Sequence, residues 1–203
     1  MKKIFTFFVF LLLSFGTIFG QKISSKTGTF KVLNGEENVQ VVFVYDKLKL
    51  MNDNLTETDY VTEKVRKMNE KQFESGDNWK KTWEVSKESF WEPKFLTLLN
   101  KYTSEVQKMN FGKSITNSKY IITVHVVWIY PGWDAAVMRQ PAKLNTVVNL
   151  TERSNPEEVL ATYTFLNAPG NQYGSNFNNE TRIAESFAKT GKTLGKIMSK
   201  QLK

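Results

Sequence analysis

The chain has 203 residues, 28 lysines and arginines against 20 aspartates and glutamates, a formal charge of +8 and no cysteine. The cysteine count excludes disulfides, thiolate catalysis and a lipid anchor on a cysteine behind a leader. Hydrophobic residues make up 40% and aromatics 13%, which is enough to build one substantial core.

The N-terminus speaks to compartment. A basic "MKK" precedes the uncharged apolar run "IFTFFVFLLLSF", and "GTIFG" supplies small residues before Gln21. That is the layout of a secretory signal peptide over 1–20, with cleavage expected between Gly20 and Gln21. The run is shorter than the ~20 apolar residues that cross a bilayer, so a cleaved leader is preferred to an anchor. After cleavage no membrane span is expected. A cysteine-free exported chain suits the bacterial envelope, in the periplasm, at the outer membrane or in the medium. Export argues against nucleic acid as a partner and leaves anionic lipid or glycan as the counterpart of the positive charge.

Residues 21–27 form a polar lead, and 28–203 are expected to be one domain. "GTFKVL" and "VQVVFVYD" read as two strands around the turn "NGEEN". "LTETDYVTEKVRKMNEKQF" turns helical, with Thr56 and Asp59 as a capping box in which Asp replaces Glu or Gln. Val61, Val65 and Met68 make its narrow apolar stripe. A second helix with Asp77 or Asn78 as N-cap sets Trp79 and Trp83 one turn apart. A third takes Pro93 as its first residue, with Phe95, Leu98, Leu99, Tyr102 and Val106 at helical offsets. "MNFGKSITNS" reads as a loop.

From Lys119 the period becomes two. Tyr120, Ile122, Val124, Val126, Trp128 and Tyr130 share one face, which assigns both Trp128 and Tyr130 to the core. "KLNTVVNLTE" and "EVLATYTFL" are two more strands around the turn "RSNPE". "NAPGNQYGSNFNN" is a loop, and a long helix closes the chain over about 180–202. The order β-β-α-α-α-β-β-β-α implies an α+β fold: a mainly antiparallel sheet of about five strands with helices packed on one face.

Catalytic signatures are missing. His125 is the only histidine and lies mid-strand, and no GxSxG, HExxH or EF-hand spacing occurs, so no catalytic residue, metal or cofactor is expected. "KTGKTLGK" is not a phosphate loop, because Ser186 stands where a glycine is required and Gly191 falls inside a helix. With Ala184 and Ala188, Gly191 and Gly195 are expected to form a flat strip against the sheet. Ile183, Phe187, Leu194, Met198 and Leu202 supply the adjoining apolar face. Trp79, Trp83 and Trp91 read as helix–sheet filling in preference to a glycan platform. Glu57, Asp59, Glu63, Glu84 and Glu88 read as surface charge, and an enzyme with an unrecognised carboxylate site stays the third reading.

Two surface features are candidates for contact. Lys189, Lys192, Lys196 and Lys200 form a stripe at helical offsets that suits either an anionic surface or the C-terminal end of the helix dipole. "WIYPGWDAAVMRQPAKLN" is longer than a tight hairpin needs, and its tip residues Trp133, Met138 and Arg139 are the candidate partner contact.

The succession of "FLTLLNKY", "SKYIITVHVVWI", "NPEEVLATYTF" and "RIAESFAKTGKTLGK" resembles envelope domains related to the amino-terminal domain of TolB, the curli-assembly lipoproteins and the penicillin-binding-protein activator lipoproteins. The pattern covers about 38–202. It also resembles small exported proteins of Gram-negative bacteria with no assigned activity. The resemblance implies a non-catalytic accessory module that docks an envelope protein, and it transfers no functional residue. The chain departs from the pattern in lacking the lipoprotein cysteine.

Overall fold

The computed structural model describes residues 20–135, 138–170 and 178–203. The leader expected over 1–20, except Gly20, lies outside them. Within the described residues no helix is long and apolar enough to cross a membrane.

The fold class is α+β. A seven-stranded sheet runs in the order β1 (Lys22–Gly28), β9 (Asn155–Gly170), β8 (Ala142–Glu152), β5 (Tyr120–Tyr130), β2 (Asn38–Val44), β4 (Asn110–Gly112), with β3 (Lys49–Leu50) also on β5. The pairs β1/β9, β9/β8 and β8/β5 are antiparallel, whereas β2 and β3 run parallel to β5 and β4 parallel to β2. Between β3 and β4 come α1 (Glu57–Asn69), α2 (Ser75–Ser86) and α3 (Glu92–Thr103), which supply the long crossover that parallel strands require. The closing helix α4 (Asn179–Gln201) lies on α3 and on β8 and β9.

The helices follow their sequence signals. Thr56 caps α1, accepting from the Asp59 amide at 3.1 Å and donating to the Asp59 carboxylate at 2.6 Å. On α4, Ile183, Phe187, Leu194 and Met198 are fully buried. Burying a side chain of that size contributes about 1.5–3 kcal/mol. The glycine strip, however, faces α3. A Cβ on Gly191 would stand 2.2 Å from the Phe95 carbonyl oxygen, and one on Gly195 would stand 2.9 Å from the Tyr102 Cβ. The missing side chains let two helix backbones approach, not a helix and a sheet.

Pro93 stands in the first turn of α3, one place after its start at Glu92, but that start is continuous with α2. Residues Lys87–Trp91 form a π-helical turn that joins α2 to α3, and the Glu92 amide donates back to the Lys87 carbonyl. A proline inside an α-helix loses one hydrogen bond and clashes with the carbonyl four residues earlier; a wider turn just before it relieves both. Helix α2 starts earlier than expected, after Glu74 in the left-handed conformation and without a side-chain cap.

Three strands depart from expectation. "GTFKVL" is no strand: Phe30–Leu33 form a 3-10 turn that buries Phe30 and Leu33. The polar lead instead becomes β1, exposed along its whole length and held by pairing with β9. The supposed loop "MNFGKSITNS" contains β4. In β5 the register shifts between Val126 and Trp128. Ile129 therefore continues the buried face, and Trp128 is only half-buried, its indole donating to the Met51 carbonyl at 2.8 Å. Tyr130 is buried. A bulge inserts one residue and re-aims those after it, which a strict alternation overlooks.

Candidate functional site

The loop opened by Pro131 is a built element. Trp133–Asp134 (β6) pair with Arg139–Gln140 (β7) in a two-stranded ribbon, and the Ala135 amide donates to the Met138 carbonyl at 2.9 Å. Gly132 turns the corner with φ +70°, and a Cβ there would lie 2.4 Å from the Gln140 carbonyl oxygen. Gln140 Oε1 accepts from both Tyr130 Oη and Trp133 Nε1, which ties the ribbon to the sheet. Trp133 is 41% and Met138 68% exposed, and Arg139 is exposed beside them. Residues 136–137 lie outside the described residues.

The lysine stripe is partly engaged. Lys189, Lys196 and Lys200 are exposed and Lys192 is half-buried. Lys192 and Lys196 stand over the Tyr102 ring at 5.3 and 5.2 Å. Lys192 also draws the Tyr102 phenol below its ordinary range, by hydrogen bonding first and by charge second.

The expected aromatic core is present. Tyr60, Trp79, Trp83, Trp91 and Phe187 form a chain of ring contacts from α1 to α4, each 5.1–6.1 Å between centroids. Trp83 and Trp91 are buried and Trp79 half-buried, so these three form no open glycan platform. His125 is half-buried on the sheet face away from the helices, paired between Val44 and Val147. Among the described residues no group of three or more His, Asp or Glu is placed to hold a metal ion.

Two of the cavities among the described residues hold side chains whose titration is strongly displaced. The first, about 670 Å³, opens where β2 meets α2 and the π turn. Tyr45 Oη donates to Glu92 Oε1 at 3.2 Å, and Lys113 bonds to Glu92 Oε2. Lys87 Nζ lies 4.7 Å from the Tyr45 ring centre and bonds to Glu57, which also accepts from Trp83 Nε1 at 2.9 Å. Burial, then the Glu92 charge, lifts the Tyr45 phenol far above its ordinary range and keeps it a donor. Both Glu92 oxygens are engaged by groups of the protein.

The second cavity, about 440 Å³, lies between α1, the end of β5 and the start of α4, and Pro131 and Gly132 at the foot of the ribbon form part of its wall. Lys64 faces it with its ammonium 4.4 Å from the Trp79 ring centre and donates to Tyr60 Oη at 3.4 Å. Burial pushes that ammonium down to about 8; Glu180 opposes the shift and Arg182 adds to it. Arg182 keeps only 6% of its surface exposed. Its Nε donates to the Pro131 carbonyl, and its Nη2 donates to Gly132 and to the Asn179 side chain. Its Nη1 is buried without an acceptor.

Sequence reasoning missed Lys64 and Arg182. One signal was available: Tyr60, Lys64 and Met68 are four residues apart on one face of α1, with Lys67 and Lys71 beside them. For Arg182 the signal was a charge next to Ile183, inside an apolar helix face.

No protein-family model matches the chain, and no curated protein matches it. Solved structures similar to it include a PelC dodecamer from Paraburkholderia phytofirmans, which superposes with a TM-score of 0.41 and 13% identity over 86% of this chain and 96% of that one. A point-substituted form of the same dodecamer gives 0.39 and 14% over the same shares. At that overlap the likeness carries no argument about role.

Proposed function

We propose that this chain is an exported, non-enzymatic binding or assembly module of the bacterial envelope that docks a partner protein through the β6–β7 ribbon. The export half of the reading rests on the leader-like N-terminus. The docking half rests on one observation: an ordered ribbon holds Trp133, Met138 and Arg139 together in solvent. Aromatic, Met and Arg side chains are the types enriched at protein interfaces. Backbone pairing of β6 with β7 presents them at lower entropic cost than an unpaired loop. The lysine stripe supports a membrane- or glycan-surface reading less well, because two of its lysines already lie on Tyr102.

A photo-crosslinking residue at position 138 tests this in intact envelopes, with position 73 as the control, since Phe73 is 85% exposed and far from the ribbon in sequence. The expected result is a discrete protein adduct from 138 and none from 73, lost when Trp133 and Arg139 are both changed to alanine. No adduct at 138, or an adduct indifferent to those changes, overturns the reading.

A further inference from the structure

Arg182 lies behind the wall of the Lys64 cavity, bonded to Pro131, Gly132 and Asn179 of that wall, with its Nη1 buried and without an acceptor. A buried guanidinium N–H without a partner is costly, and a native structure that keeps one calls for an explanation. The ammonium of Lys64 is half-buried against Trp79; burial first, and the Arg182 charge after it, depress it against the opposing pull of Glu180. The nearby carboxylates have their own work. Glu180 accepts from Trp79 Nε1 at 2.6 Å, Glu63 pairs with Lys67, Asp53 is exposed at the rim, and Asp134 favours the Arg182 charge, followed by Glu180. Met51, Leu55, Met68 and Pro131 contribute apolar wall. The volume is in the range of small-molecule sites, where a mostly apolar wall carries a few convergent polar groups.

We infer that this cavity binds an amphiphilic organic anion, a carboxylate or phosphate on an apolar body. The anionic oxygens supply a counter-charge for Lys64, while Lys67 and Lys71 attract the ligand at the rim. The apolar body lies along Met51, Leu55 and Met68. This site is independent of partner docking by the ribbon, although both use the Pro131–Gly132 corner.

Calorimetric titration of the purified protein with octanoate, octyl phosphate, inorganic phosphate and octyl glucoside tests the inference. Octanoate or octyl phosphate is expected to bind, the tighter of the two showing which head group the site takes. Octyl glucoside and inorganic phosphate are expected to bind at least about tenfold more weakly, since each lacks one half of the recognition. Lys64→Gln is expected to weaken the preferred anion about tenfold, and Lys64→Gln combined with Lys71→Gln more, with folding of both variants checked by circular dichroism. Absence of binding by both octyl anions, equal binding of octyl glucoside, or unchanged affinity in Lys64→Gln overturns the inference.

Discussion

The two cavities contain similar residue types and differ in how their charges are satisfied. Around Glu92 every strong donor meets an acceptor within the protein: Tyr45 and Lys113 on its two oxygens, Lys87 on Glu57. Around Arg182 a donor is left over. A cluster whose members satisfy one another is a structural brace, because removing one member strands its partners in low dielectric. A cluster with an unmatched donor carries an uncompensated desolvation cost, as Gln21, Thr146 and Ser186 do elsewhere among the described residues. Titratable residues crowded into a cleft therefore do not by themselves mark a binding site.

Mutation can break this contrast. The largest effect is expected for Glu92→Ala, which leaves Tyr45 Oη without its acceptor while the exposed Lys113 returns to solvent, and should lower unfolding free energy by about 2 kcal/mol in urea titrations. Arg182→Met loses bonds to Pro131, Gly132 and Asn179 but also removes the orphaned N–H, so a smaller loss of about 1 kcal/mol is expected. If Arg182→Met proves as costly as Glu92→Ala, the two clusters are alike and the distinction fails.

The pH dependence of Lys64 sharpens the comparison further. Its folded value of about 8 lies below the ordinary lysine value of 10.5. Between those limits the unfolded chain holds a proton that the folded chain has released, so this group's contribution to stability rises with pH across the window. The groups around it are Tyr60 and the Lys67–Glu63 pair on α1, Lys71 and Asp53 at the rim, and Glu180 and Arg182 on α4. Wild type should accordingly gain on Lys64→Gln between about pH 8 and 10 in parallel denaturation series. A constant difference would place the Lys64 ammonium in ordinary solvent. Smallest of all, alanine at Trp133, Met138 and Arg139 together should change stability by no more than about 0.5 kcal/mol per site, because their side chains are exposed.

How much of this was legible depended on where each element's stability comes from. The α1 cap, the apolar face of α4 and the first half of β5 are local patterns, and the chain states them openly. Strand β1 has no apolar alternation, since an edge strand lives on backbone bonds to its neighbour, here β9 across more than a hundred residues. Strand β4 is likewise held by a distant parallel partner. The bulge in β5 and the π turn before Pro93 each change a period midway, and a pattern read as continuous carries its error past that point. The ribbon tip was legible because a run of mixed aromatic, apolar and basic character exceeds what a turn requires. The Lys64 cavity was not, since Lys64 and the Arg182 behind its wall are more than a hundred positions apart in the chain.

The most direct test of the contrast is to follow the Lys64 side chain itself by nuclear magnetic resonance through a pH titration, alone and with octyl phosphate or octanoate. The account predicts titration near 8 in the free protein and a rise toward the ordinary lysine range when the anion that binds is present. Titration in the ordinary range from the start, or a value near 8 that neither anion moves, would contradict it.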